Sequence, residues 1–350
     1  NYDPNRMKQT SEGLLSILRG EEERYDEMLR KGQNVVRTAI KNIPQDSDEL
    51  PDDILFTLSD SHGLSPDIAV KMAKEQGWSK LVLRTGFNAE MAERHSAQAK
   101  LAAITSTDNE LILDIPDLPA TVTLYYDDTF QQNFEASVLA SIPITSNYAK
   151  SMAAHAIILD RTCFYPEGGG QEGDYGKLIS ESSAHTVIDT KKLGNLVVHI
   201  STGPFEIGDI VQGMIDWDRR KQLMDHHTSV HIVGGAARKL LGPHIYQAGS
   251  NKSVDSSRLD ITHHRRLTRK DLDQIESIAN EVVQNVQRIE KLTLNRKDAD
   301  RKFGFDLYQG GAPKGSEIRI IRIGDHDVQA CGGTHHDEPS KIGQIRVVRS

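Results

Sequence analysis

Two histidines four residues apart, His227 and His231 in HTSVH, are the first residues of this 350-residue chain whose spacing suggests chemistry. On a helix both side chains leave one face about one turn apart, so a single metal ion can reach both. Far downstream stands Cys331-Gly-Gly-Thr-His335, where two glycines let the backbone turn tightly enough for Cys331 and His335 to converge. Three imidazoles and one thiolate make a borderline-soft set suited to tetrahedral zinc at about 2.0–2.3 Å. Alone, a helical His pair is a common polar surface pair, and a single Cys commonly behaves as a small buried hydrophobe; together they carry more weight. The residue after His227 is Thr228, where a metalloprotease helix places its Glu base, so peptidase chemistry is disfavoured. Four protein ligands also suit a closed structural site, and ligand chemistry leaves structural and catalytic zinc both open.

These groups need elements to hold them. Leu14, Leu15, Ile17, Leu18, Tyr25, Met28, Leu29, Val35, Val36 and Ile40 recur at three-to-four-residue spacing, which predicts one helix from Ser11 to about Asn42. After the Pro/Asp loop IPQDSDELPDD, the stretch LFTLSDSHGLSPDIAVKMAKEQG and residues Ala89–Ala103 read as two more helices separated at Gly77. Beyond Pro116 and Pro119 the texture changes to short β-branched runs, among them ASVLASIPI, AHAIILD, HTVID, LVVHI and IVQGMID, which predict a small barrel or sandwich. From Asp216 the pattern reads as a helix closed by Gly242-Pro243, strands at YQAG and SRLDIT, a long helix from Thr268 to about Arg301, and terminal strands at EIRIIRIG and IGQIRVV. Thr268 followed three residues later by Asp271 resembles a capping box. The expected fold is therefore a multidomain α and β chain: a helical module over residues 1–115, a β-barrel over 116–215, and an α+β core over 216–350 that carries the metal ligands.

Composition narrows the function classes. With 37% apolar and 26% charged residues the chain is ordinary for a globular protein. No apolar stretch approaches the roughly 18–20 residues that cross a bilayer, and NYDPNRMKQT is too polar for a secretory signal. Two cysteines, Cys163 and Cys331, cannot build a disulfide framework, which fits a reducing cytoplasm. The start at Asn1 without Met suggests a trimmed piece of a longer protein. The net charge of −8 is uneven: residues 1–200 carry 19 Lys+Arg against 30 Asp+Glu, whereas residues 201–350 carry 23 against 20. A nucleic-acid partner is permitted without being announced. Nine of the fourteen histidines fall between His226 and His336, which marks where to look.

HTSVH and CGGTH, with FYPEGGGQEGDYG, YQAGS and YQGGAPKGSEIRIIRIGDHDVQACGGTH, resemble the editing region of alanyl-tRNA synthetase in its archaeal-like form, from about residue 120 to residue 350. More loosely, RGEEERYDEMLRKG and LSDSHGLSPDIA look like the end of that family's tRNA-recognition domain. The resemblance implies one zinc ion per chain on His227, His231, Cys331 and His335, with Cys331 essential to activity, and Gln247 of YQAGS approaching the aminoacyl ester. It also implies that Gly168, Gly169, Gly170 and Gln171 border the editing pocket, the alternative being a plain hairpin loop. Asp60 of LSDSHG falls where the family reads the tRNA acceptor stem, though an N-cap role is an equal alternative. Arg265 and Arg266 lie in the densest basic run, which is either a tRNA phosphate contact or a solvated helix start. Arg258 and Asp260 share a strand face as an ion pair, and Val230 stands where many relatives have Thr.

The function so implied is hydrolysis of tRNA(Ala) mischarged with serine or glycine. Attachment of alanine with ATP belongs to the full-length parent, because no class II aminoacylation signature is apparent and that activity is expected upstream of Asn1. The rival is a non-catalytic tRNA-binding module with structural zinc. A threonyl-type editing region shares the HxxxH and CxxxH logic, but the GGGQ, YQGG and CGGTH stretches read as alanyl-type.

Overall fold

The computed structural model describes every residue except 1–3, 85, 88–89, 92–112, 114, 145–153, 287, 305–306, 310 and 312–314. Two compact units emerge, residues 1–110 and 111–350. Segments 116–215 and 216–350, read from sequence as separate domains, thus share one unit.

In the first unit, helices α1 (Pro4–Ala39), α2 (Asp52–His62) and α3 (Pro66–Glu75) are described. The stretch read as one helix through LFTLSDSHGLSPDIAV is two. Gly63 takes a left-handed φ of 66° and its N–H closes α2 on Ser59 O at 3.0 Å, while Ser65 caps α3 and Pro66 starts it. The expected helix at Ala89–Ala103 lies almost wholly outside the described residues. Val36 of α1 and Ile40 just after it are buried with Leu55, Leu58, Leu64 and Ala69, whereas Leu14, Leu15 and Leu18, nearer the N-terminus of the helix, are exposed.

The second unit begins with the two-residue strand β1 (Val122–Thr123) and then closes a six-stranded barrel. Its strands are β2 (Asn133–Pro143), β3 (His155–Leu159), β5 (Gly176–Ile179), β6 (Ala184–Leu193), β7 (Leu196–Ser201) and β8 (Ile210–Ile215), with β4 (Arg161–Thr162) paired to β1. The barrel order is β2-β3-β7-β6-β5-β8 and every pairing within it is antiparallel. Strict alternation in β8 sends Val211 and Ile215 inward with Phe134, Ile157, Phe164 and Leu178, and closure leaves no free sheet edge.

After the barrel comes α4 (Trp217–Leu241), capped by Asp216, whose side chain accepts from Arg219 N at 3.1 Å. The hairpin of β9 (Gln247–Lys252) and β10 (Ser257–Ile261) follows, then α5 (Arg269–Asn285). The Thr268–Asp271 capping box is present as read, and Arg258 pairs with Asp260 at 3.2 Å. The long helix expected to Arg301 is interrupted by β11 (Ile289–Asn295) before α6 (Arg296–Phe303). Leu292 and Leu294 alternate onto one face, and all seven β11 residues pair with β12 (Glu317–Ile323), so sheet pairing overrides the charged, helix-compatible composition. The third strand is β13 (Asp327–Ala330), not the terminal IGQIRVV. That last segment takes its backbone partners from α5 side chains instead: Asn280 bonds both N and O of Ile345 at 2.9 Å, and Glu276 accepts from Val347 N at 2.7 Å.

One barrel residue makes folding sensitive to pH. His199 is fully buried, donating from Nδ1 to Ile157 O (3.0 Å) and accepting at Nε2 from Thr162 Oγ1 (2.8 Å). Burial pushes its pKa down from 6.5 to about 4. The unfolded chain therefore binds this proton more readily than the native one, so the stability is complete above pH 6.5 and is lost as pH falls toward 4. The loss amounts to about 3 kcal/mol. Replacing His199 by Gln is expected to flatten the fall in unfolding free energy across that window by a comparable amount; identical pH profiles for the two proteins rule this out.

Candidate metal centre

HTSVH lies mid-way along α4, so His227 and His231 emerge one turn apart, as the spacing requires. CGGTH follows β13 directly, and its turn is held by Arg319 of β12, which donates from Nη1 to Cys331 O at 2.8 Å and Gly333 O at 2.9 Å. Tyr126 adds a hydrogen bond from its hydroxyl to Gly332 O at 3.1 Å. Gly333 is required by space: a Cβ there would meet the His227 ring at 2.0 Å. The result is convergence: one ligand atom from each of His227, His231, Cys331 and His335 lies within 4.8 Å of the others. Cys331 Sγ is 3.4 Å from both His227 Nε2 and His335 Nε2.

Two of the three imidazoles are hydrogen-bonded from behind on Nδ1, and the third faces a carboxylate. His227 donates to Gln171 Oε1 at 2.7 Å, and His335 to Thr228 Oγ1 at 3.3 Å. His231 Nδ1 sits 3.3 Å from Asp327 Oδ2, within ion-pair range but off the line of a good hydrogen bond. Asp327 is in turn approached by Gln329 Nε2 at 3.1 Å and Arg238 at 3.5 Å. Such outer partners fix the tautomer and aim the remaining nitrogen at a common centre.

The electrostatics suit a cation. Burial alone pushes the Cys331 thiol up, but His227, His231 and His335 around it hold it well below the ordinary thiol value. Burial also pulls His227 and His335 down, whereas for His231 the Cys331 sulfur and Asp327 outweigh burial and raise it. The pull of the surrounding rings on Cys331 favours its thiolate, and a donor set of three imidazoles and one thiolate fits zinc, whose binding would displace the proton that His231 otherwise holds. By contrast Cys163 is sealed in the barrel and its thiol is pushed up to about 12, the character of an inert core residue.

Gln171 lies directly behind the His227 ring. Its side chain is fully buried, donating to Thr334 Oγ1 at 2.9 Å while its oxygen also accepts from Thr334 N at 3.2 Å. It supports a ligand from behind. The glycines before it are laced to the end of β9: Lys252 N donates to Gly170 O at 2.6 Å, and Lys252 Nζ to Gly169 O at 2.8 Å, while Gly168 and Gln171 bridge each other. Gly170, with a φ of +75°, presses so close that a Cβ would meet Ser250 O at 2.2 Å. Gln247 begins β9 and lines a small cavity of about 10 Å³ with Val230, Gly234, Leu259 and Gln329. Its backbone N donates to Gln309 Oε1 at 3.0 Å.

Asp60 lies in the last turn of α2, so it is not the N-cap that the sequence left open. Arg265 is committed to Asp271 by two bonds of 2.7 and 3.1 Å, while the Arg266 guanidinium is exposed, 3.5 Å from Ser350 O. Sequence reasoning missed Asp327, Thr228 and Lys252 as supports. Asp327 stands four residues before Cys331, a carboxylate near a ligand, and that was a usable signal; Thr228 was noticed only for not being Glu.

Comparison with known proteins bears on this geometry. A family model described as tRNA synthetases class II (A) matches residues 4–219, and the threonyl and alanyl tRNA synthetase second additional domain matches residues 318–350, which include Cys331 and His335. The chain belongs to the alanyl-type class II tRNA synthetases. It is 39% identical over 347 residues to the alanine–tRNA ligase of Pyrococcus furiosus, covering 98% of this chain and 36% of the relative. The corresponding ligase of Thermococcus kodakarensis is 40% identical over 349 residues, covering 98% and 36%; that of Halorubrum lacusprofundi is 37% identical over 337 residues, covering 96% and 35%. This member of the family thus spans about a third of the length of those curated relatives. The class II match begins at residue 4 and so takes in the helices that the sequence motifs related only loosely to the family.

Replacing Gln171 by Ala frees the His227 ring and is expected to weaken zinc or cobalt binding by about 10–100-fold. Competition against a calibrated chelator measures it, and an unchanged affinity rules out the supporting role.

Proposed function

We propose that this chain is an aminoacyl-tRNA deacylase, which hydrolyses the ester of tRNA(Ala) carrying serine or glycine. The observation that carries the reading is the convergence of His227, His231, Cys331 and His335, in a chain with alanyl-type synthetase sequence. In this reading the four hold one zinc ion, which when bound supplies Lewis acidity beside the ester. Cys331 provides the single thiolate of the set and Gln171, Asp327 and Thr228 keep the rings aimed. Gln247, a neutral amide beside Val230, orients the attacking water or the developing oxyanion without titrating. Water adds to the ester carbonyl, and the products are the free amino acid and the tRNA hydroxyl. With Val230 in place of a Thr, position 230 has no hydroxyl to offer a serine substrate.

The need for such a site is physical: a synthetic pocket shaped for a methyl group rejects glycine weakly by size and an added hydroxyl incompletely, so a second sieve is required. Gly168, Gly169 and Gly170 bring backbone close to the substrate in this reading, Arg266 and Arg265 meet tRNA phosphates, and Asp60 contributes to the acceptor stem. In this reading the attachment of alanine with ATP belongs to the full-length protein, in the cytoplasm, whose class II synthetase region this chain shares in part.

The rival, a tRNA-binding module with purely structural zinc, has one observation in its favour: the three histidine ligands are no more than 3% exposed and four side chains close the set. Assay of Ser-tRNA(Ala), Gly-tRNA(Ala) and Ala-tRNA(Ala) hydrolysis separates the two. The chain is expected to hydrolyse the first two, spare the third, lose activity to chelator and on Cys331→Ala, and lose about 100-fold in kcat on Gln247→Ala. No hydrolysis by folded, zinc-loaded protein at saturating tRNA selects the rival. Formation of Ala-tRNA(Ala) from alanine, ATP and tRNA overturns the placement of ligase activity in the parent alone. Charge reversal at Arg266 is expected to raise KM and lessen the salt dependence of binding while leaving kcat nearly intact.

A further inference from the structure

The nine clustered histidines sort into three groups of three. His227, His231 and His335 belong to the centre described above. His226, His326 and His336 are each tied by a ring nitrogen to one acceptor: Ser253 O at 2.6 Å, Ile232 O at 2.8 Å and Asp225 Oδ1 at 2.6 Å. The remaining three, His244, His263 and His264, gather at the other end of α4, where the α4–β9 connection meets the β10–α5 connection.

We propose that His244, His263 and His264 form a second metal site, a three-imidazole site for a divalent transition-metal ion of the zinc class. One nitrogen from each ring lies within 4.8 Å of the others. His244 Nε2 is 2.9 Å from His263 Nδ1, against the roughly 3.3 Å between two nitrogens bound to one tetrahedral zinc at about 2.0–2.1 Å, so a small opening admits the ion. The ring centroids are 5.1 Å apart for His244 and His263, 5.7 Å for His244 and His264, and 4.5 Å for His263 and His264. Hydrogen bonding inside the protein leaves His263 incomplete: its Nε2 is shielded from solvent and has no partner.

The two connections are locked side by side before any ion arrives. Thr262, next to His263, donates from Oγ1 to His244 O at 2.7 Å and from N to Tyr246 O at 2.9 Å, and its Oγ1 accepts from Tyr246 N at 2.8 Å. Three donors are thus presented from a fixed frame, which lowers the ordering cost of binding. Arg265 is the nearest cation in sequence, and its charge is offset by the two bonds to Asp271. An all-imidazole set selects zinc, copper(II) or nickel(II) over the oxygen-seeking magnesium and calcium, and three protein ligands leave one coordination position open. Such an ion clips the end of α4 to the start of α5 through the root of the β9–β10 hairpin.

The test is independent of tRNA and of hydrolysis. The whole chain, stripped of metal and equilibrated with excess Zn²⁺ before dialysis, is analysed for metal by mass spectrometry. Two ions per wild-type chain are expected, one for His263→Ala or His244→Asn, and one for Cys331→Ala, whose remaining ion belongs to the second site. Nitrogen-15 imidazole spectra of Cys331→Ala titrated with Zn²⁺ keep the test valid should the histidine variants fold poorly: the His244, His263 and His264 resonances are expected to shift together. A single ion in wild type, with those resonances unmoved at saturating Zn²⁺, overturns the proposal. Magnesium chloride in place of Zn²⁺ is expected to leave them unmoved, and an equal response to magnesium also overturns it.

Discussion

Three imidazoles and a thiol brought together out of water cost free energy in proportion to the polar atoms left without partners, and much of the second unit is arranged to supply them. The outward nitrogens meet Gln171, Thr228 and Asp327, which come from the barrel's glycine loop, from α4 itself and from β13. The inward atoms face one another, and only a cation satisfies them all at once. Because the supports come from three distant segments, the centre is as rigid as the packing between those segments.

The barrel is therefore part of the site's machinery. Arg220 of α4 is fully buried and grips Asp174 from the barrel segment, and it also donates to Cys163 O at 2.6 Å and Thr129 O at 3.2 Å. Removing one partner of such a pair leaves an uncompensated buried charge, typically a cost of about 3–5 kcal/mol. One turn after His227 lies the next ligand, and two turns before it lies this anchor, so the face of α4 that is tied to the barrel through Arg220 is the face that supplies the ligands farther along. Lys252, pinned to Gly169 and Ser250, fastens the same loop that carries Gln171.

Position along α4 also separates three chemical environments. Its first turns carry the ion pair with the barrel, its middle the His/Cys centre, and its far end abuts the three-histidine cluster beyond Gly242. The small cavity with Gln247 and Val230 borders the middle of the helix, on the side where Gln329 leads back through Asp327 to His231. Gln247 is thereby placed within a short chain of side chains from the ligand set.

How much of this the sequence settled depends on the range of the interaction. The spacing of HTSVH, the short β-branched run at IVQGMID and the Thr268–Asp271 capping box are local patterns, and the helix, the strand and the cap read from them are present. The break between α2 and α3 is a local signal as well, carried by Gly63 and Ser65-Pro66. Other features depended on residues far apart in the chain. IEKLTLN became a strand because β12 was there to pair with it, and IGQIRVV did not because Asn280 and Glu276 had already taken its backbone groups. Gln171 turned inward to His227, and His244 met His263 and His264, for the same reason. A pattern of three or four residues fixes which face a side chain leaves by; which partner waits there is decided only when the chain has folded, because hydrogen bonds and metal ligation act across a few ångströms of space, whatever the separation in sequence.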